Sequence, residues 1–306
     1  MAKADRSSWL LRIDRRFVYL FVLLALMIPF LFPGLTTKPA PLPSAKKLFD
    51  KVERIARERD EAVAEGRPYN KVVLLSFDFG PQTRAELYPM AEAMIRHLMM
   101  RKIKFAVMTH VPDGAGYCED IPNQLAREFD DIDYGRDYVN FGYKVGRTFL
   151  IKQMGEDMAG ALKTDVKGTP YKDIKCLKGV QDAGDVALMT EITGLVGFAE
   201  MWIQFFASAR ARPDIGHGCT SVSIPDAFDM LESKLIIGLL EGIAGAAAYN
   251  EFIEEIRSED QPPTSPKARV HMTGQTVAHL LLVLFVLLGN VGVIMSALRR
   301  RKVAGS

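Results

Sequence analysis

Apolar and polar residues alternate along this chain in three distinct ways, and each predicts a different kind of element. The first is an uninterrupted apolar run near each end, at residues 17–32 (FVYLFVLLALMIPFLF) and 276–298 (TVAHLLLVLFVLLGNVGVIMSAL). As helices these reach roughly 24 and 34 Å, against a hydrocarbon core of about 30 Å. The pattern predicts two membrane spans, over 17–33 and 276–298. The second pattern is a set of short β-rich apolar runs at 71–79 (KVVLLSFDF), 102–110, 137–144, 185–192 and 214–222. Runs of this style suit strands buried on both faces. The third has helical periodicity and separates those strands, at 83–100, 121–129, 145–158, 197–209 and 225–256. Strand–helix alternation predicts an α/β domain over 71–257, with a Rossmann-like, doubly wound, mostly parallel sheet of about five strands.

Polar segments connect these parts. Residues 34–70 carry Pro39, Pro41 and Pro43, a stiff extended stretch, and then a charged helical pattern over 45–65 (AKKLFDKVERIARERDEAVAE). Leu48, Val52, Ile55 and Arg59 share one face of it, and opposite charges three and four apart favour a solvated helix. Within the last predicted helix, LIIGLLEGIAGAAA (235–248) is too short to span a bilayer. Gly238, Gly242 and Gly245 form a small-residue stripe that lets another helix or the sheet approach closely. A polar tether over 258–275 leads to the second span, where Gly289, Gly292 and Ser296 permit close packing on another helix.

Charge adds an orientation. Lys+Arg 39 against Asp+Glu 37 is nearly balanced, which points away from nucleic acid. Lys3, Arg6, Arg12, Arg15 and Arg16 precede the first run, and Arg299, Arg300, Arg301 and Lys302 follow the second. Basic flanks stay cytoplasmic, so both tails (1–16 and 299–306) are predicted inside and the domain outside. A cleaved leader is the competing reading of the first run. The following PGLTTKPAPLPSA has no good small-residue pair at cleavage spacing, and the apolar stretch exceeds a typical leader core. Cys118, Cys176 and Cys219 show no CxxC spacing, which excludes a zinc ribbon; two of them pairing, or three buried thiols, are both open.

Candidate chemistry follows from the fold class, because open parallel sheets bind ligands beyond the carboxyl ends of their strands. Asp78, His110, Asp113, Glu191, His217 and Cys219 fall there. Asp78, His110 and His217 have the ligand types of a metal centre, and Cys219 with His110 those of a thiol nucleophile and its base. Hydrogen-bonded structural groups are the plainer reading of each. The chain lacks GxGxxG, GxxxxGK[ST], HExxH and GxSxG, so it names no cofactor. KTDVKGTP (163–170) can hold an anion on its amides or serve simply as a turn-rich loop, and Tyr134, Tyr138, Phe141 and Tyr143 interleave with Arg136 and Lys144.

DYGRDYVNFGYKVG, KTDVKGTP, GLLEGIAGAAAYNEFI and MTGQTVAHLLLVLFVLLGN, in that order, resemble an uncharacterised group of bacterial membrane proteins with two spans around an extracytoplasmic α/β domain. The resemblance implies the same architecture and brings no activity or catalytic residue. The expectation is therefore a non-catalytic accessory or scaffold subunit in a bacterial inner membrane. Its partners would be the bilayer and either other membrane subunits or further copies of itself. A membrane-tethered metal-dependent hydrolase and a ligand-binding sensor are the alternatives.

Overall fold

The computed structural model describes residues 14–304. Lys3, Arg6 and Arg12 lie outside the described residues, as do the side chains of Arg15, Ser296 and Arg299 to Lys302. The chain divides into two units, one formed by residues 39–268 and the other by the two terminal segments.

In the larger unit every strand of the sheet is a short run of apolar residues. These are β1 (Val72–Asp78), β2 (Phe105–Thr109), β3 (Tyr138–Tyr143), β4 (Val186–Thr193), β5 (Ile215–Cys219) and β6 (Gly238–Glu241). All neighbours pair parallel, in the order β3-β2-β1-β4-β5-β6. That is the Rossmann-like order, with its reversal between β1 and β4. The helices of the two terminal segments and the crossovers are α1 (Arg15–Leu31), α2 (Pro43–Ala64), α3 (Arg84–Met100), α4 (Ala115–Ala126), α5 (Arg147–Glu156), α6 (Met158–Leu162), α7 (Phe198–Phe205), α8 (Ile224–Glu232), α9 (Gly242–Ile256) and α10 (Lys267–Ala304). One sheet face carries Leu74, Met108, Val139 and Met189 into a core completed by Ile151 and Met154 of α5 and Trp202 of α7. The other face is covered by α2, α3 and α9.

Two sequence expectations need correction here. The sheet has six strands rather than about five, because the stretch expected as one helix over 225–256 is three elements. Helix α8 stops at Glu232, Lys234 turns the chain with φ of 58°, and GLLE pairs with β5 through Ile237 N–H to Ile215 O (2.8 Å). A four-residue apolar run inside a longer apolar stretch does not show its period, which is why it reads as helix. Gly238 therefore belongs to a strand. A Cβ there would meet the backbone nitrogen of Leu48 at 2.6 Å, so its small size does serve a close approach, that of α2 to the sheet's edge strand.

The charged helix α2 is also not a solvated rod. Leu48, Val52 and Ile55 are fully buried, with Phe49 and Ala56 beside them. Its Glu53 closes a buried polar network. Arg101 donates to both carboxylate oxygens (2.7 and 2.9 Å), and His97 bonds Glu53 through Nε2 and the Tyr249 hydroxyl through Nδ1, each at 2.8 Å. Burial alone would raise the Glu53 pKa, but the bonds from His97 and Arg101 hold it down at about 2. E53Q is expected to lower stability by about 1–2 kcal/mol at neutral pH, after allowing for solvent screening. A carboxylate with a lowered folded pKa stabilises above the ordinary range and loses that contribution as pH falls. The difference between E53Q and the parent protein, read from urea midpoints, should therefore shrink between about pH 4.5 and pH 2.

Residues 267–275, expected as tether, are the first turns of α10. Among the described residues, the stretch Lys267–Met295 is the one helix long and apolar enough to cross a membrane, at 29 residues. Helix α1 is apolar but shorter, with Pro29 inside it, so its spanning role is not shown. Within the smaller unit α1 and α10 touch near Gly274. There the Phe30 and His271 rings meet edge-on at 5.1 Å, and Thr37 N–H donates to Thr273 Oγ1 (3.1 Å). No atom lies within 4 Å of where a Gly289 Cβ would sit.

Candidate functional site at the carboxyl ends of the strands

Strand register builds the site. It aligns Ser76, Glu191 and His217 side by side across β1, β4 and β5. Two residues further on it aligns Asp78, Thr193 and Cys219. Alternation of side chains places both rows on the sheet face that carries Leu74 and Met189. The upper row opens at the strand ends, and the lower row is enclosed.

Asp78 is fully buried and held by the chain's own donors. Ser76 Oγ donates to Oδ2 (2.5 Å), while the His110 backbone N–H (2.5 Å) and Thr109 Oγ1 (3.1 Å) donate to Oδ1. Burial raises the Asp78 pKa despite the opposing influence of His110, and burial lowers that of His110. His110 Nδ1 faces the Lys144 carbonyl at 3.2 Å. At the reversal of strand order the crevice is closed by the chain. Thr193 Oγ1 donates to the Asp78 carbonyl (2.8 Å), and a Cβ on Gly194 would press on Thr83.

The lower row is different in kind. Glu191 is fully buried, and neither of its carboxyl oxygens has a hydrogen-bond partner. His217 Nδ1 lies 3.7 Å from Glu191 Oε2, too far for a good bond, and is also unpartnered. On the Asp78 side of the sheet, His110 Nε2 and Trp202 Nε1 are unpartnered too, with the His110 and Trp202 rings 5.6 Å apart. Above His217 a small mouth of about 20 Å³, room for about one water, opens between the loops after β4 and β5, lined by Thr193, Val196, Glu200, Cys219 and Asp226.

The expected site residues thus fall into two separate groups. Asp78 meets His110 in one, and Glu191 meets His217 below Cys219 in the other; Asp113 stays exposed beside Gly80. The trio Asp78, His110 and His217 is not brought together as a metal centre. His110 follows β2 and His217 is in β5, with β1 and β4 between them, a separation of about 14 Å at ordinary strand spacing. Among the described residues no three His, Cys, Asp or Glu side chains group to hold a metal. The same separation denies Cys219 its proposed base. Burial, with Glu241, Glu86 and Asp226 nearby, pushes the thiol up to about 12, far from a thiolate. All three cysteines are buried and unpaired. The KTDVKGTP amides are also engaged internally, since Lys167 and Thr169 N–H donate to Asp165 Oδ1 (2.9 and 2.7 Å) and the Tyr134 hydroxyl to Oδ2 (2.9 Å).

Sequence reasoning missed Ser76, Thr109, Trp202 and Glu200. Ser76 stands two residues before Asp78, so strand alternation alone signals that they share a face. The other three depend on which loops and helices fold over the strand ends.

Glu191 and His217 impose opposite pH dependences. Burial, then the charges of Asp78 and Glu200, raise Glu191 well above the ordinary range, so it stays protonated when folded. The unfolded chain releases that proton near about pH 4.3, so the contribution of Glu191 to stability declines as pH rises above this point. Burial pulls His217 down to about 4, so stability is instead lost as pH falls from about 6.5 toward 4. E191Q is therefore expected to be more stable than the parent near pH 7, with the gain vanishing toward pH 4. H217Q should flatten the decline between pH 6.5 and 4. Urea unfolding across a pH series checks both, and a pH-independent E191Q difference would contradict a neutral Glu191.

No family model, curated protein or solved structure matches this chain.

Proposed function

We propose that the chain is a non-catalytic accessory subunit of a bacterial inner-membrane assembly, anchored by α10 and presenting its α/β unit outside the cytoplasm. The observation that carries this reading is the surface of α10. Leu280, Leu282, Val283, Val286 and Leu287 are each more than half exposed, in a helix of spanning length. A continuous apolar surface of this kind needs lipid or protein around it. The basic run at 299–302 favours a cytoplasmic carboxyl terminus and so supports an α/β unit on the other side. Helix α1, with Arg16 at its start, serves in this reading as a second span, as in the bacterial group the sequence resembles.

The non-catalytic part rests on how the strand ends are used. Asp78 spends its acceptors on Ser76, Thr109 and His110, and Thr193 with Gly194 closes the point where such sheets receive ligands. Particle mass after extraction from its native membrane in mild detergent tests the assembly. The expected mass, corrected for detergent, is well above the 34.1 kDa of one chain. A monodisperse single chain would overturn it.

A sensor reading is favoured by one observation, the unpartnered Glu191 carboxyl and His217 Nδ1 beneath the small mouth. It predicts that a small-molecule ligand raises the unfolding temperature of the parent protein but not of H217Q.

A further inference from the structure

Among the described residues, the four most exposed large apolar side chains are Val222 (88%), Val196 (83%), Val145 (76%) and Phe149 (76%). None of them is on α10 or α1. They sit beyond the carboxyl ends of β3, β4 and β5, so that one edge of the sheet carries them all. From β3 to β5 this row extends about 19 Å at ordinary strand spacing. Scattered single apolar residues are normal on a surface, whereas a row along one edge marks a contact.

The chain enters and leaves the unit at this same edge. Helix α2 starts at the same edge, where Ser44 Oγ donates to Glu241 at the end of β6. It then runs down to the opposite end, where Arg59 bonds the carbonyl of Arg101. Helix α9 also ends low, but the chain does not leave there. Residues 257–266 climb back. Gln261 Nε2 donates to the Met100 carbonyl at the low end of α3, and Asn250 Nδ2 donates to the Ser265 carbonyl. Lys267 then stands over the Tyr88 ring near the upper end of α3, at 5.9 Å. The α/β unit is therefore entered and left on the side of the sheet that bears the exposed apolar tips.

We propose that the loops after β3, β4 and β5 are a lipid-contacting edge, with Val145, Phe149, Val196 and Val222 inserted at the headgroup–acyl boundary. This rests on α10 being a membrane anchor. Arg147, exposed between Val145 and Phe149, suits a phosphate headgroup at that depth, roughly 5–10 Å into the interface. Asp113, Glu200 and Asp226 lie exposed at the same edge and stay in the aqueous layer between headgroups. The contact holds the unit at three loops besides its tether.

The test uses the full chain in vesicles of phosphatidylcholine and phosphatidylglycerol, with the environment-sensitive fluorophore NBD attached in turn at V145C, V196C and V222C. The native cysteines are buried, and the unsubstituted chain carried through the same labelling gives the background. V63C, exposed near the end of α2 away from the edge, is the control, and L284C reports the anchor itself. Spin-labelled lipid is expected to quench the three edge positions about two-fold or more, to quench L284C, and to leave V63C unchanged. Quenching at L284C without quenching at the edge overturns the lipid-facing edge and leaves the anchor standing. A blue-shifted but unquenched edge assigns it to protein, a second copy or another subunit, and likewise overturns the proposal. No quenching at L284C removes the anchor and the edge together.

Discussion

Gly114→Ala is expected to destabilise the α/β unit by about 3 kcal/mol, and to lower its unfolding temperature by about 10 °C. Gly114 lies buried in the turn after β2, directly over the end of β1. A Cβ there would overlap the carbonyl oxygen of Phe77 and stand 2.5 Å from Thr109 Oγ1. The first obstacle is backbone in the central strand and has nowhere to move. The second is the hydroxyl that donates to Asp78, so displacing it also strips a bond from a buried carboxyl group. Gly116, two residues on, provides the contrast. Nothing lies within 4 Å of its would-be Cβ, and it sits in α4, where alanine is the better helix former by about 1 kcal/mol. G116A should therefore be neutral or stabilising. Thermal unfolding of the pair in one detergent separates a steric role for Gly114 from a general intolerance of substitution in this segment, and equal effects would contradict it.

The double substitution L284R/L287R is expected to release the chain from membranes. Both side chains are about half exposed near the middle of the apolar stretch of α10. An arginine at the centre of a spanning helix costs about 2.5–3.5 kcal/mol on insertion scales, so two cost on the order of 6 kcal/mol. That corresponds to about a 10⁴-fold shift in partition. The parent chain should float with vesicles on a density gradient while L284R/L287R stays at the bottom. If α10 instead packs into a soluble partner, the variant changes the partner's recovery and neither chain floats.

How far the fold could be read from the chain depended on burial. Strands such as Val72–Asp78 and Val186–Thr193 are buried along their whole length, so they appear as apolar runs that no amphipathic helix imitates. The α/β class followed from them. Strand β6 did not, because Gly238–Glu241 is four residues inside a longer apolar segment. The burial of α2 was hidden for another reason: a narrow stripe of Leu48, Val52 and Ile55 is enough to seat a helix whose other residues are charged. At the site, position along each strand was legible but position across the sheet was not. Asp78, His110, Glu191 and His217 were all foreseeable as strand-end residues. Only the order β2-β1-β4-β5 decides that Glu191 faces His217 while His110 faces Asp78. The closed point at Thr193 and Gly194 likewise required the loops in place.

Membrane anchoring by α10 is the shared premise of the proposed accessory role and the proposed lipid-facing edge. Its most direct test is alkaline carbonate extraction of membranes from cells expressing the full chain, since this strips peripheral proteins and leaves inserted helices. The chain is expected to remain in the membrane pellet under carbonate and to enter solution only with detergent. Quantitative release by carbonate alone would contradict it.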